Sequence, residues 1–233
     1  MNKANKIKYN YIAIEGNIGA GKTTLCKLLA KDFNWRLILE QFSDNPFLPM
    51  FYKDPERHAF TVELFFMSER FQQLSGDMVQ KDLFQQNTIS DYFFMKTLLF
   101  ANKTLNGEEY RLFQRLFDIL SANFPKPELL VYLHRPIPTL LRNIEKRGRS
   151  YEQEIETEYL QNIQDAYFNY FKVEKSYPIL LIEVNDYDFI NEPYYYQEII
   201  SLLEEPYPNG LNRVKISRKK KINGKKRVAM KRG

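Results

Sequence analysis

Residues 16–23 read Gly16-Asn17-Ile18-Gly19-Ala20-Gly21-Lys22-Thr23, which fits the phosphate-cradling pattern G-x-x-x-x-G-K-[ST]. The flanks fit as well. Tyr11-Ile12-Ala13-Ile14 is a short apolar run of the kind that forms a buried strand, and Leu25-Cys26-Lys27-Leu28-Leu29 opens a helical pattern. Glycines let successive backbone N–H groups turn inward on an anion, and the following helix points its positive end at the same place. Gly16 to Thr23, together with Thr24, are therefore the expected nucleotide-phosphate site. Lys22 is placed on the β- and γ-phosphates, and the Thr23 hydroxyl on Mg²⁺.

The rest of the composition describes one globule. At 233 residues, 44% hydrophobic and 15% aromatic, the chain is long and apolar enough for a full α/β core and too apolar for a disordered protein. It has no run of about 18 apolar residues, and Met1–Tyr9 carries lysines without the apolar stretch of a secretory signal. A cytoplasmic location is expected. The one cysteine, Cys26, reads as a core thiol. The net charge of +5 hides an asymmetry. Eleven of the 34 Lys/Arg lie between Arg213 and Arg232, which leaves 23 against 29 Asp/Glu, or about −6, for residues 1–212. Pro206-Tyr207-Pro208-Asn209-Gly210 breaks the last helix. The expected division is thus a body over 1–205 and a basic, disordered tail over 206–233, with nucleic acid or an acidic partner as its candidate contact.

Strand and helix patterns alternate, the mark of a parallel sheet covered by helices on both faces. Five strands are expected: Tyr9–Ile14, Arg36–Leu39, Asn87–Ser90, Leu129–Leu133 and Ile179–Val184. Helices are expected over Lys22–Asp32, from Asp54 to about Gln80, then Phe93–Lys103, Glu108–Asn123, Pro136–Lys146, Glu154–Phe171 and Glu192–Leu203, with a turn at Ser43-Asp44-Asn45-Pro46. In such sheets ligands bind beyond the carboxyl ends of the strands, and Glu40, Asp91 and Arg135 stand there.

Phosphoryl transfer needs a phosphate cradle, Mg²⁺, positive charge on the moving group and a base near the accepting oxygen. Asp91 is the candidate to hold a Mg²⁺-bound water, and Glu40 the candidate to take a proton from a hydroxyl. Lys146-Arg147-Gly148-Arg149, between two helices, reads as an arginine-bearing lid. On the long helix, Phe60, Phe66, Met67 and Phe71 form an apolar face that also carries Glu63 and Arg70. Buried charges are costly unless paired or ligated, so these two either form the polar end of a site for a flat heteroaromatic ligand or pair with each other.

Four segments, in this order and spacing, give the chain a resemblance to the deoxynucleoside kinase family, of the bacterial deoxyadenosine/deoxyguanosine kinase sort. They are Ile14–Thr23; Leu39-Glu40 with Asp44-Asn45-Pro46-Phe47-Leu48 and Phe51-Tyr52; Glu56-Arg57-His58-Ala59-Phe60 through Arg70; and Lys146-Arg147-Gly148-Arg149 through Glu158-Tyr159-Leu160. The resemblance runs from about Tyr11 to Leu203. It implies a P-loop kinase fold with a helical lid and ATP- and Mg²⁺-dependent phosphorylation of a deoxynucleoside 5′-hydroxyl. It also implies a homodimer through the helices near 93–123. By resemblance Glu40 is the general base, and Tyr52 and Glu152 contact the 3′-hydroxyl. Glu63 stands where the family usually has a glutamine reading the base edge, with Arg70 beside it. Arg147 and Arg149 are lid arginines on the phosphates, and Asn185–Phe189, with Asp188 and Phe189, lies against the adenine of ATP.

Two departures stand out. The family usually has Asp-Arg-Ser or Glu-Arg-Ser after the third strand, and this chain has Asp91-Tyr92-Phe93. A second aspartate expected a few residues on is absent from Met95-Lys96-Thr97, and Lys96 and the lid arginines are the candidates to compensate. Two alternatives follow: a P-loop kinase for another small alcohol or a nucleoside monophosphate, and a degenerate homologue that binds nucleotide and uses the basic tail for nucleic-acid or protein contact.

Overall fold

The structure, a computed structural model, describes residues 7–40, 45–79, 87–122 and 124–216. Strand β1 (Tyr11–Gly16) runs into the glycine loop and helix α1 (Lys22–Phe33). There follow β2 (Arg36–Ile38), α2 (Leu48–Lys53), α3 (Pro55–Val79), β3 (Thr88–Ser90), α4 (Met95–Thr104) and α5 (Gly107–Ser121). The second half holds β4 (Leu129–His134), α6 (Ile137–Arg147), a single 3-10 turn (Ser150–Glu152), α7 (Thr157–Val173), β5 (Pro178–Glu183), α8 (Pro193–Leu203) and β6 (Gly210–Lys215). The strands form one parallel sheet in the order β2-β3-β1-β4-β5-β6.

The pleat sorts the apolar runs onto two faces. Ile12 and Ile14, Leu129, Val131 and Leu133, and Leu180 and Ile182 pack on one side with Leu25 and Leu29 of α1 and Ile199 and Leu203 of α8. Ala13, Leu130, Tyr132, Ile179 and Leu181 point the other way, onto Ile163, Tyr167 and Phe171 of α7. A third cluster joins Met67 and Leu74 of α3 to Phe113 and Phe117 of α5, which stacks the helices that wall the site. Asn34 ends α1 in a left-handed conformation (φ 54°), its N–H bonding the Ala30 carbonyl, and Gly148 ends α6 at φ 70°.

The expected elements all occur, with ends within three residues of the expected ones. The expectation of five strands is corrected to six. The sixth, β6, pairs along β5 from Pro178–Gly210 to Glu183–Lys215, inside the segment expected to be a disordered tail from 206. Leu211-Asn212-Arg213-Val214-Lys215 looks like charge because edge strands carry Lys and Arg on their outer face; Arg213 lies 3.9 Å from Glu183, and Ile216 just beyond is buried. Helix α2 is a further addition. Ser43 and Asp44, the expected helix ends at Gln80 and Asn123, and the tail from 217 to 233 lie outside the described residues. No described helix is long and apolar enough to cross a membrane.

Candidate active site

The glycine loop is folded by its own backbone needs. Gly19 (φ 80°) and Gly21 (φ 95°) sit where side chains are strained, and a Cβ on Gly19 would come within 2.8 Å of the Leu140 carbonyl oxygen. Asn17 is buried and donates from Nδ2 to the Leu160 carbonyl of α7 (2.7 Å), while Asn143 of α6 donates to the Gly19 carbonyl (2.8 Å). Lys22 Nζ donates to the carbonyls of Gly16 (2.8 Å) and Asn17 (3.1 Å). Burial, reinforced by the Lys96 charge, lowers its pKa. Gly19–Thr24 open onto a cleft of about 640 Å³, which is also lined by Arg135, Asn143, Arg147, Arg149, Asp188 and Phe189.

Past the carboxyl ends of β1, β2 and β3 the loop meets two carboxylates. Asp91 bridges them. Its Oδ2 accepts from the Thr23 hydroxyl, and its Oδ1 accepts from the backbone N–H of Glu40 at 2.7 Å. One side chain therefore fixes both the helix that follows the loop and the residue expected to act as base. Burial raises the Asp91 pKa against the opposing Thr23 hydrogen bond.

The Glu40 carboxylate is buried and held by two cations. Arg70 donates to Oε1 through both Nε (2.8 Å) and a terminal nitrogen, and Lys96 Nζ donates to Oε2. Burial alone would push this carboxyl up; Lys96 and Arg70 outweigh it and hold it at about 2. Arg70 also donates to the Thr97 hydroxyl at 2.8 Å. Thr97, in the stretch where a second aspartate was expected, offers Arg70 a hydroxyl without charge, and the guanidinium has Glu40 as its counter-ion. Tyr92, in place of the expected arginine, is fully buried and donates to Gln73 Oε1 at 2.8 Å, so it contributes packing rather than charge.

Glu40, Glu63, Tyr52, Arg70, Lys96 and Glu152 converge on one pocket beside Lys22 and Thr23, and Arg147 and Arg149 line both this pocket and the cleft. Glu63 and Arg70 do not form the internal pair considered above. Among the described residues Glu63 accepts from the Thr104 hydroxyl at 3.0 Å, and burial pushes its carboxyl up to about 7 despite the Arg70 charge. Glu152 is buried in the 3-10 turn. Its Oε1 takes Arg149 (3.0 Å) and Arg147 (3.3 Å), while its Oε2 is buried with no hydrogen-bond partner among the described residues. Tyr52 stacks on Tyr151 with centroids 6.3 Å apart.

The 185–189 segment is clamped by Arg135, which donates to the carbonyls of Ala20 (3.0 Å), Asn185 (2.7 Å) and Tyr187 (3.0 Å). The Asp188 carboxylate accepts from the N–H groups of Ile190 and Asn191 (both 3.0 Å), and Phe189 is buried beneath Gly21. Both residues thus shape the cleft wall.

Sequence reasoning missed Thr97, Thr104 and Glu15. The last is buried, taking Tyr167 OH (2.8 Å) and Phe93 N–H (3.1 Å). A charged residue near the end of the otherwise apolar β1 was the available sign for Glu15. The two threonines gave none, since threonine on a helix is ordinary.

The family model for deoxynucleoside kinases matches residues 12–206. The chain is 34% identical to a deoxyguanosine kinase of Bacillus subtilis, over 84% of this chain and 96% of that one. It is 31% identical to a deoxyadenosine/deoxycytidine kinase of the same organism, over 79% and 87%. A solved structure of deoxyadenosine kinase from M. mycoides with bound dATP superposes with a TM-score of 0.70 at 21% identity, covering 83% of this chain and 98% of that one, which reports on the fold. With the phosphate loop, the two carboxylates and the arginine lid arranged as described, the chain belongs to the deoxynucleoside kinase family.

Proposed function

We propose that this protein transfers the γ-phosphoryl group of ATP to the 5′-hydroxyl of a deoxynucleoside, with a purine base preferred. The observation that carries the reading is the Thr23–Asp91–Glu40 chain, which ties the phosphate loop to a buried carboxylate in the adjoining pocket. ATP phosphates on Gly19–Thr24 and a 5′-hydroxyl at Glu40 would meet across that chain. A carboxylate held at about 2 is a weak base in the ground state. Its task is to orient the hydroxyl and take the proton late, once the oxygen has begun to bond to phosphorus. Lys22, Arg147 and Arg149 supply positive charge to the phosphoryl oxygens.

Mg²⁺ fits the residues present. The Thr23 hydroxyl and the Asp91 carboxylate are hard oxygen donors in mutual contact. When bound, the ion neutralises charge on the β- and γ-phosphates.

In the acceptor pocket the unpartnered Glu152 Oε2, beside Tyr52, suits a 3′-hydroxyl donor. Glu63, facing the base, supports deoxyguanosine. An ionised carboxylate offers acceptors only, and guanine presents two adjacent donors. The 34% identity to a deoxyguanosine kinase agrees. Leu112 and Ile119, 43% and 72% exposed at i, i+7 on α5, support a homodimer through α4 and α5. The basic residues from Arg218 to Arg232 suit contact with nucleic acid, and the kinase body is taken to run through Ile216. The test is ATP turnover with each of the four deoxynucleosides and their ribo counterparts. Turnover of deoxyguanosine above the others is expected, and turnover of none of them overturns the reading.

A further inference from the structure

We propose that Lys96, in the first turn of α4, is the positioning residue of the acceptor site, holding the Glu40 carboxylate against the accepting hydroxyl in the role left open by Tyr92. The inference rests on the kinase reading above and adds a residue to it.

Three observations carry it. First, Glu40 has two oxygens with separate anchors. Arg70 takes Oε1 through two nitrogens, and Lys96 takes Oε2. One anchor fixes a point. Two fix the carboxylate plane, and with it the direction in which a lone pair faces the pocket. Second, the two anchors are not equivalent. Arg70 is shared with Thr97 and packs 5.0 Å from the Phe66 ring, so its position is set by α3 and α4 together. Among the described residues the Lys96 ammonium has Glu40 as its one hydrogen-bond partner, and its Nζ lies 5.4 Å from the Phe100 ring centre, one turn on in the same helix. Third, Lys96 is buried, only 7% exposed, and it lines the pocket. An ammonium has three donors, and its burial is unfavourable unless those donors are used. A lysine kept inside at that cost, with its ammonium on the Glu40 carboxylate, is explained by the orientation it imposes on that carboxylate.

The Tyr92 geometry makes the assignment specific. That side chain is turned into the core toward Gln73 and has no charge to offer, so the cations beside Glu40 come from α3 and α4. Lys96 stands four residues beyond Tyr92, at the start of α4, and its ammonium reaches the Glu40 carboxylate.

The experiment is a double-mutant cycle on the full chain, using ATP and the deoxynucleoside that the wild type turns over best. Lys96→Met keeps the length and removes the charge. It is expected to lower kcat by roughly 10²-fold while the KM for ATP moves less than about threefold, because the phosphate loop is untouched. In a Glu40→Gln background the same substitution is expected to cost less than about threefold, since a residue acting through Glu40 has nothing left to hold. Lys96→Arg is expected to recover most of the lost kcat. Thermal melting and ATP binding report whether each variant is folded. If Lys96→Met does not fold, Lys96→Gln takes its place in the cycle with the same expectations. Equal losses in the wild-type and Glu40→Gln backgrounds overturn the proposal, as does a folded Lys96→Met with kcat within threefold of wild type. A wild type inactive on every deoxynucleoside would overturn the kinase reading instead, so the two failures are distinguishable.

Discussion

The phosphate cleft and the acceptor pocket share Lys22, Thr23 and the lid arginines, yet they are built on different principles. The cleft is made largely of main chain. Gly19 and Gly21 hold backbone angles that side chains resist, Arg135 and Asn143 bond carbonyls, and the bound group meets N–H donors and a helix end. The pocket is made of side chains drawn from α2, α3, α4, the ends of β2 and β3, and the lid turn. A backbone cradle tolerates few changes of residue. A pocket of side chains can keep its function while its members change, provided that charge and hydrogen bonds are satisfied elsewhere. Tyr92, Lys96 and Thr97 illustrate this. A cation is missing at one position, an anion at another, and the surviving Arg70 and Lys96 converge on Glu40.

The largest effect should fall on the cleft. Lys22→Ala removes the phosphate-loop member of the proposed set of charges on the transferred group, and turnover should fall by roughly 10³-fold with the melting temperature little changed. Initial-rate assays beside a thermal melt decide it; an active Lys22→Ala would mean that ATP binds elsewhere. Next comes the base. Glu40→Gln keeps the shape and loses the proton acceptor, so kcat should fall by roughly 10²–10⁴-fold with ATP affinity nearly unchanged. Near-normal kcat would remove Glu40 from the chemistry and erase the distinction between the two sites at its centre.

A smaller effect tests the backbone half. Gly21→Ala puts a Cβ 3.0 Å from Phe189 Cζ at φ 95°. Strain of order 1–3 kcal/mol should weaken ATP binding about tenfold or more, while affinity for the deoxynucleoside stays within about twofold. Isothermal titration with each ligand separates the two. Equal weakening of both would show that the cleft and the pocket deform together.

The same contrast explains what could be read from the chain. The glycine loop is legible because eight consecutive residues are constrained by one backbone shape, and the buried strands are legible because parallel sheets demand apolar runs. Glu40 and Asp91 were found through their place at strand ends. The Glu40–Arg70–Thr97–Lys96 network was not legible. Glu40 and Lys96 lie 56 positions apart, and no local pattern says which of several buried charges will meet. Strand β6 escaped for the opposite reason: its local pattern of Arg213 and Lys215 resembles a solvated charge run, and only pairing with β5 makes it a strand.

The finest test of the pocket is the protonation of Glu63. The groups around it are Arg70 and Glu40, Lys96 and Thr104 of α4, Tyr52 of α2 and Tyr159 of α7. Burial outweighs the two cations and places its carboxyl at about 7. The Thr104 hydroxyl has one proton and two acceptors in reach, Glu63 Oε1 at 3.0 Å and the Phe100 carbonyl at 3.2 Å. It can donate to an ionised Glu63, or donate to Phe100 and accept from a protonated one, so either state is satisfied. The two states read different bases. Ionised, Glu63 accepts from the paired donors of guanine; protonated, it offers one donor and one acceptor and matches adenine. A mismatched buried polar group costs about 1–3 kcal/mol. The sign follows from the raised pKa: as pH rises from about 6 to about 8 the ionised form takes over, so kcat/KM for deoxyguanosine relative to deoxyadenosine should rise about tenfold. In Glu63→Gln the ratio should be flat with pH and shifted toward deoxyadenosine. The same shift weakens folding as pH climbs from 4.5 to about 7, because the folded chain holds this proton more tightly than the unfolded one. Between about pH 6 and 7 selectivity and stability should therefore move in opposite directions. A selectivity ratio independent of pH in the wild type would leave Glu63 as a buried acid bonded to Thr104 and move base reading to another wall of the pocket.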